Sequence, residues 1–173
     1  MADVHVEAST VVGSVVFFAI APGTVAGVIP YALSDWRVGP PLLGVAAIRI
    51  IGVAIAVAGL AGLIECFVRF SVKGHGTPAP VAPPDNVVVT GLYRHVRNPM
   101  YVAVVSIVVG QALLFGSVAM LEYAIVVWLF FHLAVVFYEE PTLRRQFGPS
   151  YALYRANVPR WWPRMRPWPR SRG

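Results

Sequence analysis

The run G-L-Y-R-H-V-R-N-P-M-Y, residues 91–101, sets Arg94, His95, Arg97, Asn98 and two tyrosines directly against a long apolar run. Its counterpart is E-E-P-T-L-R-R-Q-F-G-P-S-Y-A-L-Y, residues 139–154, which follows the next apolar run. Two apolar runs joined by a short turn form a helical hairpin, and a hairpin returns both polar ends to the same side. The residues of one stretch are therefore expected to face those of the other.

Working outward, the apolar character extends through the chain. Of 173 residues, 57% are hydrophobic and 13% charged, about half the charged fraction of an ordinary soluble domain. Such a composition predicts an all-α integral membrane protein. Roughly 20 apolar residues are needed to cross the hydrocarbon core, and four stretches qualify or nearly so: residues 11–33, 42–70, 100–115 and 118–138. The first contains Pro22 and Pro30, which membrane helices tolerate where neighbours satisfy the freed backbone groups. In the second, Ala54, Ala58 and Gly62 recur at four-residue spacing, a pattern that lets another helix approach closely. Gly116-Ser117 is the tight turn between the third and fourth.

Basic residues decide the expected topology. Arg69, Lys73, Arg94 and Arg97 fall in or beside the loop 71–99, and eight arginines lie in the tail 139–173, whereas the turn at Gly116 has none. The positive-inside rule then puts loop, tail and amino terminus on the cytoplasmic face. The amino-terminal run is read as a retained span, because Asp3 and Glu7 are its early charges and the apolar stretch continues past Ala19-Ile20-Ala21. Lys73 to Pro84 carries four prolines and predicts a semi-rigid strap, either a linker or a lid. Net charge is +6, yet the tail arginines alternate with Trp161, Trp162 and Trp168. That pattern points to an interfacial anchor on anionic lipid rather than to nucleic acid. Cys66 is the single cysteine, which excludes an intramolecular disulfide and a cysteine metal cluster; no metal site is expected.

Ionisable and amide groups inside apolar spans are costly and each calls for a reason. Glu65 and Arg69 stand one turn apart and suit a local ion pair, with Glu65 also a candidate on the substrate side. Arg49 is expected to snorkel outward. His132 lies seven residues before Glu139, nearly on one helical face with it, which suggests either a polar channel descending from the carboxylates or a histidine bonded to a neighbouring helix. Gln111 is the deep polar member of a stripe with Tyr101, Val104 and Val108, and a second substrate-side candidate. Pro99 and Pro141 each suit a first helical turn, so the chain is expected to change direction at both. Carboxylates there could bind ribose hydroxyls or offset a cationic ligand, and arginine and tyrosine could engage a carboxylate and an aromatic base.

Together these motifs, with V-P-R-W-W-P at 158–163 and G-T-P-A-P-V-A-P-P before them, resemble the membrane methyltransferase superfamily of isoprenylcysteine carboxyl methyltransferases and phospholipid methyltransferases. The resemblance covers roughly the carboxyl-terminal half and departs at Asn98, where many members carry histidine. It implies that S-adenosylmethionine lies between two walls. Tyr93, Arg97, Asn98, Pro99 and Tyr101 would form one; Glu139, Glu140, Arg144, Tyr151, Tyr154, Val158, Pro159 and Arg160 would form the other. Catalytic candidates are Glu140, His132 and Arg97, with Glu140 or His132 taking a proton from a thiol or ammonium acceptor. A lipophilic acceptor would enter from the bilayer, and the site would face the cytoplasm of a bacterial cell. Sterol reductases resemble the same half and bind a nicotinamide cofactor, which leaves a membrane reductase as one alternative and a non-catalytic ligand-binding protein as another.

Overall fold

A computed structural model describes residues 20–73 and 89–169, which are helical with short turns and contain no strand. Residues 11–19 of the first expected span and most of the proline strap lie outside the described residues. Helix α1 is Ile20–Ser34, α2 Ala47–Lys73, α3 Pro99–Phe115, α4 Val118–Ala134 and α5 Glu140–Asn157. Short 3-10 turns occur at Leu42–Gly44 and Gly91–Arg94. Two helices are long and apolar enough to cross a membrane, Ala47–Arg69 and the continuous run that starts at Val118, while α1 and α3 are shorter apolar helices.

The second apolar stretch becomes helix at Ala47 rather than at Leu42, because Leu43 adopts left-handed backbone (φ 57°) inside the 3-10 turn. Gly116 ends α3 with φ 72°, a conformation that glycine adopts without the Cβ penalty. Ser117 then caps α4 by accepting from the Met120 N–H at 3.3 Å. A second loop backs this turn, since the Gly39 N–H donates to Phe115 O at 2.9 Å. Arg49 reaches the same loop and donates to Gly39 O, so its side chain holds a turn rather than extending freely to head groups.

Helices α2 and α3 pack through glycine. A Cβ on Gly52 would lie 2.7 Å from Gly110 O, one on Gly110 would lie 2.6 Å from Ala56 N, and one on Gly59 would lie 2.8 Å from Ala103 O. These are backbone contacts, and they bring the helices together where no side chain separates them. Ala54 and Ala58, expected on that face, are exposed. Gly62 alone of the three turns inward, against Leu92 and Ala103. The small-residue seam is therefore Gly52, Ala56 and Gly59, about two residues out of phase with the expected one. Leu63, Ala103 and Val104 form the core below it, covered by Val25, Ala26, Met100, Ile107 and Phe131.

Pro30 and Pro141 each follow a π-turn. Thr24–Val28 precedes Pro30 and Val135–Glu139 precedes Pro141, with Ile29 N–H donating to Thr24 O and Glu140 N–H to Val135 O. A proline leaves the carbonyl one turn back without a donor and presses its ring against it; widening the turn relieves that pressure. In α1 the carbonyls so freed have found side chains. Tyr123 Oη donates to Val25 O at 2.9 Å and Gln111 Nε2 to Ala26 O at 2.7 Å. Gln111 thus works as backbone support, and its Oε1 accepts from Trp36 Nε1 at 3.1 Å. At Pro141 the π-turn carries α4 directly into α5, so the expected change of direction there does not occur. The helix kinks instead at Gly148 (φ 49°, ψ −124°), just before Pro149.

Candidate functional site

Where α3 begins and α4 passes into α5, three stretches meet: residues 91–99, the π-turn with Glu140, and the segment 158–168 beyond α5. Glu140 is the centre of this junction, with 3% of its side chain exposed. Arg97 Nη1 donates to its Oε1 at 2.9 Å. Arg160 donates from Nε to Oε1 at 2.7 Å and from Nη2 to Oε2 at 3.1 Å, a fork that matches carboxylate geometry. Arg144, one turn along α5, places Nη2 3.6 Å from Oε2. One buried carboxylate thus faces three guanidinium groups. The Arg160 guanidinium is held further into its charged form, chiefly by those hydrogen bonds to Glu140.

Arg97 is itself 9% exposed, and its Nε is buried without a hydrogen-bond partner. The Tyr151 phenol lies beside it, and desolvation pushes that phenol upward from its ordinary range. Tyr151 is buried with Tyr154 and Val158, and Val89, Leu143, Phe147 and Trp168 cover them. This second small core fixes α5 beneath the arginines.

The segment after α5 is laced to the residues before α3. Arg97 N–H donates to Pro159 O at 2.9 Å, Arg164 N–H to His95 O at 3.0 Å and Trp168 N–H to Arg94 O at 3.0 Å. Asn98 Nδ2 donates to Arg160 O at 3.1 Å, Arg94 Nε to Trp168 O at 2.7 Å and Tyr154 Oη to Tyr93 O at 2.7 Å. His95 Nδ1 lies 2.8 Å from Arg164 O. Asn98, the departure from the more frequent histidine, is therefore a backbone clamp on the segment that carries Arg160. Pro99 is buried at the first turn of α3, as expected.

The two expected walls meet, but the π-turn divides the adjacent acids between them. Glu140 turns to the arginines, whereas Glu139 accepts from Tyr101 Oη, whose ring stacks on Phe131 with centroids 4.4 Å apart. His132 joins neither carboxylate. Its Nδ1 accepts from Trp161 Nε1 at 3.1 Å, and its ring lies 5.3 Å from Trp128 and 5.9 Å from Trp161. The polar channel expected below the carboxylates is thus replaced by an aromatic cluster; the wider π-turn moves His132 out of line with Glu139.

Substrate-side candidates separate as well. Gln111 lies ten residues beyond Tyr101, about 15 Å along α3 at 1.5 Å per residue, among the α1 carbonyls. Glu65 pairs with Arg69, as the one-turn spacing predicts. Gly91 (φ 54°) is seated against that pair so closely that a Cβ would collide with both side chains. Sequence reasoning set Arg94 and His95 in one of the facing stretches but assigned them no partner, and it left Arg164 and Trp168 to the lipid interface. The alternation of arginine and tryptophan signalled a tail with specific partners, but interfacial anchoring accounts for the same residues, and among the tail tryptophans Trp162 (84% exposed) retains that reading.

These features define a helical membrane protein with a buried arginine–carboxylate site at one end of its bundle. Residues 47–150, more than half of the chain, match the phospholipid methyltransferase family, and the chain belongs to it. The protein-S-isoprenylcysteine O-methyltransferase of Schizosaccharomyces pombe is 39% identical over 77 residues, a match that covers 43% of this chain and 32% of that protein. The chain therefore spans about a third of the length of this curated relative. No solved structure matches it.

Proposed function

We propose that the protein is an S-adenosylmethionine-dependent methyltransferase whose acceptor is lipophilic, with the cofactor held at the Glu140 junction. The observation that carries this reading is the charge imbalance there: three guanidinium groups surround one carboxylate, and Arg97 keeps a buried Nε donor unpartnered. Such a cluster suits a ligand carboxylate, while Tyr151 and Tyr154 form the packed core beneath it. The donor set therefore fits the amino-acid end of such a nucleoside. Arg97, Arg144 and Arg160 would meet its carboxylate end. Tyr93, Asn98, Pro99, Tyr151, Tyr154, Val158 and Pro159 would shape the enclosure through the contacts that tie loop to tail.

When bound, the cofactor supplies an activated methyl group; the chain's own task is to orient the reacting partners and keep water out. Glu140 serves as the fixed counter-charge that aligns the arginines, since guanidinium groups engage both of its oxygens. Its role is positioning rather than proton transfer. The family name and the yeast relative, which by its name acts on isoprenylcysteine, both agree with a lipophilic acceptor. An active site facing the cytoplasm agrees with the basic loop and tail.

The test is calorimetric titration of detergent-purified protein with S-adenosylhomocysteine and, separately, NADPH. Binding of the homocysteine nucleoside alone, at least tenfold weaker in Arg97→Ala, is the expected result. Binding of NADPH alone would transfer the site to a reductase, and binding of neither would remove the enzyme reading.

A further inference from the structure

The segment after α5 does two things at once. It holds the junction: Arg160 forks onto Glu140, Trp161 donates to His132, and the backbone of Pro159, Arg164 and Trp168 pairs with that of Arg97, His95 and Arg94. It also presents Trp162, Met165 and Arg166, which take no part in these contacts. Trp162 is 84% and Met165 94% exposed, and Arg166 is exposed beside them.

Charge narrows what could cover these residues. Residues 141–173 contain eight arginines and no aspartate or glutamate. Among the described residues, Arg144 and Arg160 face Glu140, and no carboxylate pairs with the exposed Arg155 and Arg166. The surface is positive without internal compensation, and complementarity calls for an anionic partner. Trp162 and Met165 add a second condition, since an indole beside apolar surface suits the boundary between water and hydrocarbon. A nucleic-acid backbone meets the charge alone, whereas an anionic phospholipid surface meets both. Such a surface is also close, because α5 continues directly from the apolar helix that begins at Val118.

We propose that Trp162, Met165 and Arg166 dock on anionic phospholipid at headgroup level, and that this docking tightens the cofactor site. The coupling path is short. Trp162 and Arg166 lie within a few residues of Arg160, in a stretch with neither helix nor strand whose position depends on the hydrogen bonds named above. Holding this stretch to a charged surface restricts Arg160 before the ligand arrives, and a pre-ordered site loses less entropy on binding. The docking is independent of the methyltransferase reading; the coupling rests on it.

The experiment uses the full chain with Met165→Cys, labelled with bimane, in nanodiscs of phosphatidylcholine alone or with about one third phosphatidylglycerol, each containing a headgroup-spin-labelled lipid as quencher. Bimane quenching is expected to rise about twofold with phosphatidylglycerol and to fall back as salt is added. S-adenosylhomocysteine is expected to bind about fivefold more tightly in the anionic discs. Trp162→Ser combined with Arg166→Gln should remove both gains while leaving the affinity in phosphatidylcholine within about twofold. Arg166→Lys, which keeps the charge, should retain them, and the salt series decides the docking if the double variant folds poorly. Equal quenching in the two discs would overturn the docking, as would gains that survive the double substitution. Increased quenching with unchanged nucleoside affinity would overturn the coupling. Equal quenching together with arginine-dependent binding of poly-uridine RNA would replace the lipid by a nucleic acid. If the nucleoside binds in neither disc, the methyltransferase reading and the coupling fall together, while the quenching still decides whether the tail docks.

Discussion

Removing the charge of Glu140 leaves Arg97, Arg144 and Arg160 facing one another, with Arg97 almost closed to water. Breaking a buried ion pair from one side costs about 3–5 kcal/mol, because the remaining charge stays buried without compensation. Glu140→Gln is therefore expected to lower the melting temperature clearly and to abolish binding of S-adenosylhomocysteine. Arg144→Ala should have little effect on stability: its side chain is 52% exposed and 3.6 Å from the carboxylate, and exposed pairs contribute about 0–1 kcal/mol. Thermal unfolding of the two variants side by side checks this contrast. Equal destabilisation would show that the cluster depends on Arg144 as much as on Glu140 itself. Sequence reasoning placed Arg97, Arg144, Arg160 and Glu140 in one site, but it offered no means of telling which of two adjacent acids the arginines would take.

At the scale of elements, the α2–α3 seam depends on having no side chain at Gly52 and Gly110. Gly52→Ala sets a methyl group 2.7 Å from Gly110 O and 2.8 Å from Leu114 N. Backbone must move to admit it, at a cost of about 1–3 kcal/mol. Ala58→Leu, on an exposed face of the same helix, should change stability by no more than about 0.5 kcal/mol. Thermal unfolding in detergent distinguishes them, and an intolerant Ala58 would point to a partner helix on that outer face. Both faces carry small residues at close spacing, so composition alone did not identify the seam. The π-turns were equally hidden: Pro30 and Pro141 announce that a helix must adjust, whereas kinking, ending and widening are all adjustments a proline permits.

For the whole molecule, the hairpin requires the Gly116 turn and the arginine-rich tail to lie on opposite sides of the membrane. Cys66 is fully buried and should stay silent toward a membrane-impermeant maleimide. Ala119→Cys, beside the turn, is expected to react in intact spheroplasts, and Met165→Cys, 94% exposed in the tail, only in inverted vesicles. Labelling of both from one side would refute the crossing hairpin and the basic-side orientation with it.

The apolar runs of the described helices and the turns between them were legible in the sequence because they depend on local composition. Residues with no water around them need about 20 apolar positions and internally paired backbone whatever their neighbours are. For the same reason the α3 start at Pro99, the Gly116 turn and the Glu65–Arg69 pair came out where expected. Only the tertiary structure decided that Glu139 and Glu140 have different partners, that His132 belongs to tryptophans, that Gln111 repairs the backbone around Pro30, and that Gly52 rather than Ala54 meets the next helix. Each of these depends on helix rotation, and a single π-turn changes rotation without changing composition: it inserts one residue per turn, redirects every side chain after it, and leaves the hydrophobic pattern of so apolar a helix almost unaltered.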